Sequence, residues 1–240
     1  MRYEHFVYPS YDEPLVAAYG GKFECAFVVL HPFVWLPAET APHVDRYPSG
    51  EQIRAYGRKY SWSKVTAETG LHSWPKLNQA LLTSIGALRA EFRDELAMDA
   101  LQRFLDHRSI WMPGEGAFEP LLQREFLLIF TEAGLNELIF VPEFAEIDPS
   151  PQQMALIPDL VRVERLSAPD LDNGNARFPF RGSLVAPDGS FLLTVDWDSF
   201  FTVFFGGRVF VKDTVQRLNL EGFFADDSTC HSWWREEARK

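Results

Sequence analysis

Residues 182–207 read GSLVAPDGSFLLTVDWDSFFTVFFGG, and the fold is decided there. This stretch holds the densest β-type pattern in the chain, interrupted by the turn signal Pro187-Asp188-Gly189-Ser190. Pro187 presets the dihedral that the second turn position requires, and Gly189 tolerates a positive φ. Residues 183–186 and 191–195 are therefore expected to pair as antiparallel strands. The apolar run 200–205 adds a third strand, stopped by Gly206-Gly207. Between the second and third strands stand two acids flanking a tryptophan, Asp196-Trp197-Asp198. The stretch predicts a core sheet with a candidate site at one rim.

Upstream, KFECAFVVL (22–30) alternates and then becomes continuously apolar, as a buried strand does, and ELIFV (137–141) reads as another strand. His31-Pro32 ends the first of these, and Pro37 and Pro42 mark an irregular connection. Asp12-Glu13-Pro14 suits a short helix start. Ser49 is an N-cap candidate for a helix over 50–60, with Glu51 at its start and Arg58-Lys59 at its end matching the macrodipole. Residues 61–69, closed by Gly70, read as a loop or a single helical turn. From Ser73 onward Leu77, Leu81, Ile85, Leu88, Phe92 and Leu96 form an apolar stripe, which continues through Leu101, Phe104 and Leu105. One unbroken helix over 74–107 would be about 50 Å long. A compact domain of this length is only about 45 Å across. A break is therefore expected, near Gly86 or around 94–99.

Pro120 opens a further helix, which Gly134 ends. Residues 142–172 are rich in Pro and acids, with one short helix expected from Ser150-Pro151 and a turn at 172–175. Residues 209–218 have helical spacing, and the tail LEGFFADDSTCHSWW (220–234) mixes polar and aromatic residues as a docked segment does. No internal repeat or linker is evident, so the pattern predicts a single α+β domain over 1–240: an antiparallel β-sheet with a C-terminal hairpin core, flanked by helices.

Composition limits the function classes. At 240 residues and 46% apolar, with 21 Phe, 7 Tyr and 7 Trp, the chain can bury a sizeable core. No run approaches the roughly 18 apolar residues of a membrane span, and the N-terminus has no signal-peptide apolar core. Cys25 and Cys230 lie far apart without metal spacing and read as reduced thiols of a cytoplasmic protein. The net charge is −11, and residues 113–200 hold 15 acidic against 5 basic side chains, including Glu143, Glu146 and Asp148. Nucleic acid wants a basic stripe, so a basic protein partner or a cation fits better.

The run Asp196-Trp197-Asp198-Ser199-Phe200-Phe201, with Leu220-Glu221-Gly222-Phe223-Phe224 and the ending His231 and Trp233, resembles a bacterial family known as domain of unknown function 2711. The resemblance covers about the last 60 residues well and the helical region 73–134 more loosely. It implies a bacterial cytoplasmic protein and transfers no catalytic residues. The layout also looks like the acidic, aromatic-rich immunity proteins of bacterial toxin systems.

The strongest chemical constellation is Asp196 and Asp198 with Asp226, Asp227 and His231. Carboxylates with one imidazole suit Mg²⁺, Mn²⁺ or Zn²⁺, and a straight strand would put Asp196 and Asp198 on one face. The plainer reading has both acids capping a strand-end turn. Pro113-Gly114-Glu115-Gly116 before a helix suggests an anion cradle, but it lacks the P-loop Lys, and Glu115 and Glu119 stand where a phosphate would go. It reads as a turn. His31, His43, His72 and His107 form no HExxH pair, there is no Gly-x-Ser-x-Gly elbow, and Cys25 lies in an apolar strand. Cys230 beside His231 is a better nucleophile pair by type, yet adjacent extended residues point apart. No cofactor motif is present.

The leading reading is a non-enzymatic acidic binding protein for a basic partner, of the toxin-immunity type. Its candidate binding residues are Asp196, Trp197, Asp198, Asp226, Asp227, His231 and Trp233. The alternative is a metal-dependent hydrolase using the Asp/His cluster. A third reading is an aromatic pocket with Trp197, Trp233 and Trp234 in its wall. At the end of a buried strand, the Trp197 ring is expected to be largely buried.

Overall fold

A computed structural model describes residues 5–40, 47–106, 108–142, 164–174, 178–179 and 181–235. Glu143, Glu146, Asp148, His43, His107 and the helix expected from Ser150-Pro151 lie outside the described residues.

The seven-stranded antiparallel sheet is built from β1 (Cys25–Leu30), β5 (Glu137–Pro142), β6 (Glu164–Ser167), β7 (Gly182–Val185), β8 (Leu192–Val195), β9 (Phe201–Gly206) and β10 (Gly222–Phe224), in the order β10-β1-β9-β8-β7-β5-β6. The central hairpin forms as its turn chemistry requires. Val185 faces Leu192, Gly189 N–H donates to Ala186 O (2.7 Å), and Asp188 Oδ1 accepts from Ser190 N–H (2.9 Å). Behind the turn, Ser183 Oγ donates to Thr194 Oγ1 (2.7 Å), a buried cross-strand polar pair. The long run 22–30 becomes the six-residue β1, buried at every position.

That continuous burial has a layered cause. Ala26, Val28 and Leu30 of β1 join one core with Phe201, Val203 and Phe205 of β9. Cys25, Phe27 and Val29 join a second core with Phe204 on the other face. The first core is covered by α2 (Trp62–Thr69), α3 (Trp74–Ser84) and α4 (Glu95–Asp106), together with Trp233 and Trp234 of the tail. The second is covered by α5 (Gln123–Glu132), the short helix Ala168–Asp172 and the helix Arg208–Arg217. A sheet covered on both faces reads as unbroken apolar runs, which is the pattern of β1 and β9.

A smaller sheet, β3-β2-β4, joins β2 (Phe33–Trp35), β3 (Arg58–Tyr60) and β4 (Ile110–Trp111). It corrects two expectations. The connection after His31-Pro32 holds a strand, and the helix opened by Ser49, α1 (Gly50–Tyr56), stops before Arg58. Its capping box, Gln52 N–H to Ser49 Oγ (3.2 Å) and Ser49 N–H to Gln52 Oε1 (2.9 Å), forms as expected. Pairing of residues 58–60 with β2 overrides their helical preference.

Residues 61–69, expected as a loop or a single helical turn, hold the eight-residue α2, with Ser61 as its N-cap. Ser61 Oγ accepts from Lys64 N–H (3.2 Å), and Glu221, far along the chain, accepts from Trp62 N–H (2.8 Å) and Ser63 N–H (2.9 Å). A distant carboxylate thus satisfies donors that this short segment cannot satisfy alone. The long stripe breaks where expected. Gly86 takes φ +73°, and Ala87 N–H returns to Leu82 O (3.0 Å), closing α3 so that α4 can fold back on it. Asp94 then caps α4 through Ala97 N–H (2.9 Å) and pairs with Lys76. The break resets the helical register, which leaves Leu96, a member of the sequence stripe, 82% exposed while Ala97, Leu101, Phe104 and Leu105 are buried.

Candidate functional site

β8 ends at Val195, and Ser199 closes a turn over the next residues, its N–H and Oγ both donating to Asp196 O (3.3 and 2.9 Å). The strand does not run through Asp196 and Asp198, so the shared face expected for them is lost. Instead the turn sends the two acids into different surroundings.

Asp196 is buried. Its Oδ2 accepts from Tyr11 O–H (2.6 Å) and lies 3.9 Å from His231 Nε2, too far for a hydrogen bond. His231 Nδ1 is 3.0 Å from the Tyr8 hydroxyl, and the Tyr11 ring stacks on the imidazole with centroids 4.1 Å apart. Burial lowers the His231 pKa to about 4 against the pull of Asp196, so the ring is neutral near pH 7. Burial, then the Asp196 charge, raises the Tyr8 pKa well above its usual value. This cluster, buried at Asp196 and His231 and open to solvent at Tyr11, ties the N-terminal segment and the C-terminal tail to the end of β8. Tyr8 and Tyr11, absent from the sequence candidates, belong to it, and the crowding of all seven tyrosines into residues 1–60 is their only trace in the sequence.

Asp226 does not join it. Its Oδ1 accepts from Ser228 N–H (2.9 Å), Thr229 N–H (2.8 Å) and both hydroxyls, which holds its pKa at about 2. Asp227 is exposed, and Cys230 is half-buried. Among the described residues no three His, Cys, Asp or Glu side chains gather as they would around a metal ion.

Trp197 corrects its expectation: its ring is 49% exposed, because it stands at the corner of the turn and not inside β8. The Arg181 guanidinium lies 3.8 Å over the ring, and Arg181 Nε donates to Gly116 O (2.8 Å). Gly116 N–H donates to Ser199 O (2.9 Å) at φ +58°. A Cβ at Gly116 would sit 1.9 Å from Trp197 O, so glycine is required for the loop to approach the turn. The pKa of Glu115 is raised by burial and then by the Asp198 charge, and that of Asp198 by burial and then by Asp196. Arg181 opposes both shifts.

Under this surface group, Glu119 is fully buried. Its Oε2 accepts from Gly114 N–H (2.9 Å) and its Oε1 from Leu121 N–H (3.3 Å). Burial pushes its pKa up to about 7 against those two N–H groups and Lys59. The amide that an anion cradle would use is thus taken by the protein's own carboxylate, and the glycine loop is a structural turn. His31, equally buried, has Nε2 2.8 Å from Thr202 Oγ1, and burial lowers its pKa to about 3.

Trp233 and Trp234 are 5% and 4% exposed, packed against Phe223 (centroids 4.9 Å) and Phe92 (6.1 Å) respectively. They are core residues, with almost no surface to offer a ligand.

Residues 11–235 match the model of a family described as protein of unknown function, DUF2711. The chain belongs to that family. It is also 24% identical over 241 residues to the uncharacterized protein YwbB of Bacillus subtilis (strain 168), covering 96% of this chain and 99% of that one. No solved structure matches the chain. Among the described residues no helix is long and apolar enough to cross a membrane.

Proposed function

We propose that this chain is a non-enzymatic binding protein that meets a basic protein partner through the acidic side of residues 113–200, in the manner of a toxin-immunity protein. The observation that carries the reading is the half-exposed Trp197, held in place by Arg181 and bordered by Asp198 and Glu115. A large ring fixed at a surface, with charge around it, is the composition of a binding hot spot. The acid excess of the surrounding sequence suits a cationic partner, and it would speed encounter in a salt-dependent way.

A decalysine peptide provides the test, with calorimetric titration as the signal. Binding is expected at low salt and should weaken at least tenfold in the double variant Glu115→Lys, Asp198→Lys. Saturation unchanged by that reversal would sink the reading. A parallel calorimetric titration with Mn²⁺ or Zn²⁺ addresses the hydrolase alternative: tight uptake lost in Asp198→Ala would replace the binding reading with a metal-dependent one.

A further inference from the structure

Beside the Trp197 surface lies a cleft of about 990 Å³, bounded by α1, the loop 114–118, the start of α5 and the short helix Ala168–Asp172. Its accessible apolar lining is Tyr47, Pro120 and Phe178, backed by the buried Ile53, Phe118 and Leu171, with Phe118 and Phe178 in edge-on contact at 6.0 Å. Among the described residues its charged lining is Glu51, Glu115 and Asp172 with Arg54, whose Nη1 is 3.4 Å from Gln123 Oε1. An apolar floor with a few charged groups at the margin is the usual make-up of a binding cleft, and the excess of carboxylates selects a cationic occupant.

The cleft is continuous with the Trp197 cluster. Glu115 lines the cleft and also interacts with Asp198 and Arg181, and the backbone of Gly116 joins the loop to the turn that carries Trp197. A segment lying across Trp197 would meet Glu115 next and the apolar wall after it. We propose that the cleft receives an extended segment of the partner in which a bulky apolar side chain stands beside lysine or arginine. The apolar group would pack against Phe178 and Pro120, and its cationic neighbours would meet Glu115, Asp172 and Glu51. This inference rests on the basic-partner reading and adds a second, apolar determinant to it.

Two peptides of equal charge separate the claims, decalysine and an alternating Lys/Leu peptide with ten lysines, both titrated into the full-length protein. The Lys/Leu peptide is expected to bind at least tenfold more tightly than decalysine. Glu51→Lys with Asp172→Lys, both exposed positions, should weaken both peptides and the Lys/Leu peptide more, shrinking its advantage, while Phe178→Ala should remove most of the advantage with decalysine affinity changed less than threefold. Thermal melting of each variant shows that it folds, and the two exposed charge changes keep the test open should Phe178→Ala unfold. Equal affinity for the two peptides, or an advantage that survives all the cleft variants, overturns the cleft while leaving the surface reading intact. Failure of both peptides to bind overturns both.

Discussion

Asp196 and Asp198 are two residues apart and chemically identical, yet they live in different phases of the molecule. Asp196 is 7% exposed, bonded to Tyr11 and close to a neutral His231. Asp198 stands on the surface side with Arg181 and Glu115 as its charged neighbours. The residue between them repeats the contrast when set against the tail, since Trp197 is half exposed where Trp233 is buried. One turn thus contributes to a structural cluster and to a candidate interface. The first joins polar groups from both ends of the chain; the second holds charged groups nearer the surface, with Arg181 over the Trp197 ring.

The contrast breaks most visibly by truncation. Trp233→Ala should cost about 3–5 kcal/mol in chemical denaturation, the range for deleting a buried aromatic ring. Trp197→Ala should cost no more than about 1 kcal/mol, the scale of an exposed cation–π contact. Equal losses from the two would erase the distinction between core and surface ring.

Glu119, beneath the surface cluster, gives the next largest effect. Its pKa is about 7 when folded against 4.5 for an ordinary glutamate, so between those values the folded state binds more protons than the unfolded state. Its contribution to stability is present below about pH 4.5 and is lost as pH rises through 7. Glu119→Gln cannot ionise, so its stability relative to wild type should improve by about 2.5 kcal/mol between pH 5 and pH 8. Denaturation curves across that range that stay parallel for the two proteins would show that the carboxyl is not buried as described. His231 and His31 work in the opposite direction: their lowered pKa values make stability fall as pH drops below about 6.5 in wild type and variant alike, and the comparison cancels them.

The smallest predicted difference is between the two acids. Asp196→Asn replaces a buried charge-assisted acceptor and should cost about 1–3 kcal/mol. Asp198→Asn should be neutral or slightly stabilising, because burial and the Asp196 charge already disfavour its ionised form. Thermal melts of the pair at pH 7 would check the order, and a larger loss at Asp198 would reverse the assignment of inner and outer acid.

Much of the sheet was legible. Pro187 to Ser190, the runs feeding β1, β5 and β9, and the glycine that splits the long stripe all act through local conformation, which neighbouring residues specify. The helix 62–69 was not legible, because two of its first N–H groups are satisfied by Glu221 from the other end of the chain. β2, β3 and β10 were missed for a related reason: each is three residues long and gains its conformation from a partner strand. The candidate site was legible in part. Asp196 and His231 do meet, but Tyr8, Tyr11 and Arg181, which decide what those groups can do, carry no motif.

By itself the sequence determined the period-2 apolar runs, the turn that folds 182–195 into a hairpin, the two-helix break and the acidic bias of 113–200, all properties of adjacent residues or of composition. Only the tertiary structure decided which way the residues of the Asp196-Trp197-Asp198 turn face. That direction depends on Gly116 pressing against Trp197 O, and on Tyr11 reaching Asp196 across 185 positions of chain. Such contacts form only when distant segments are already packed, so no local pattern encodes them.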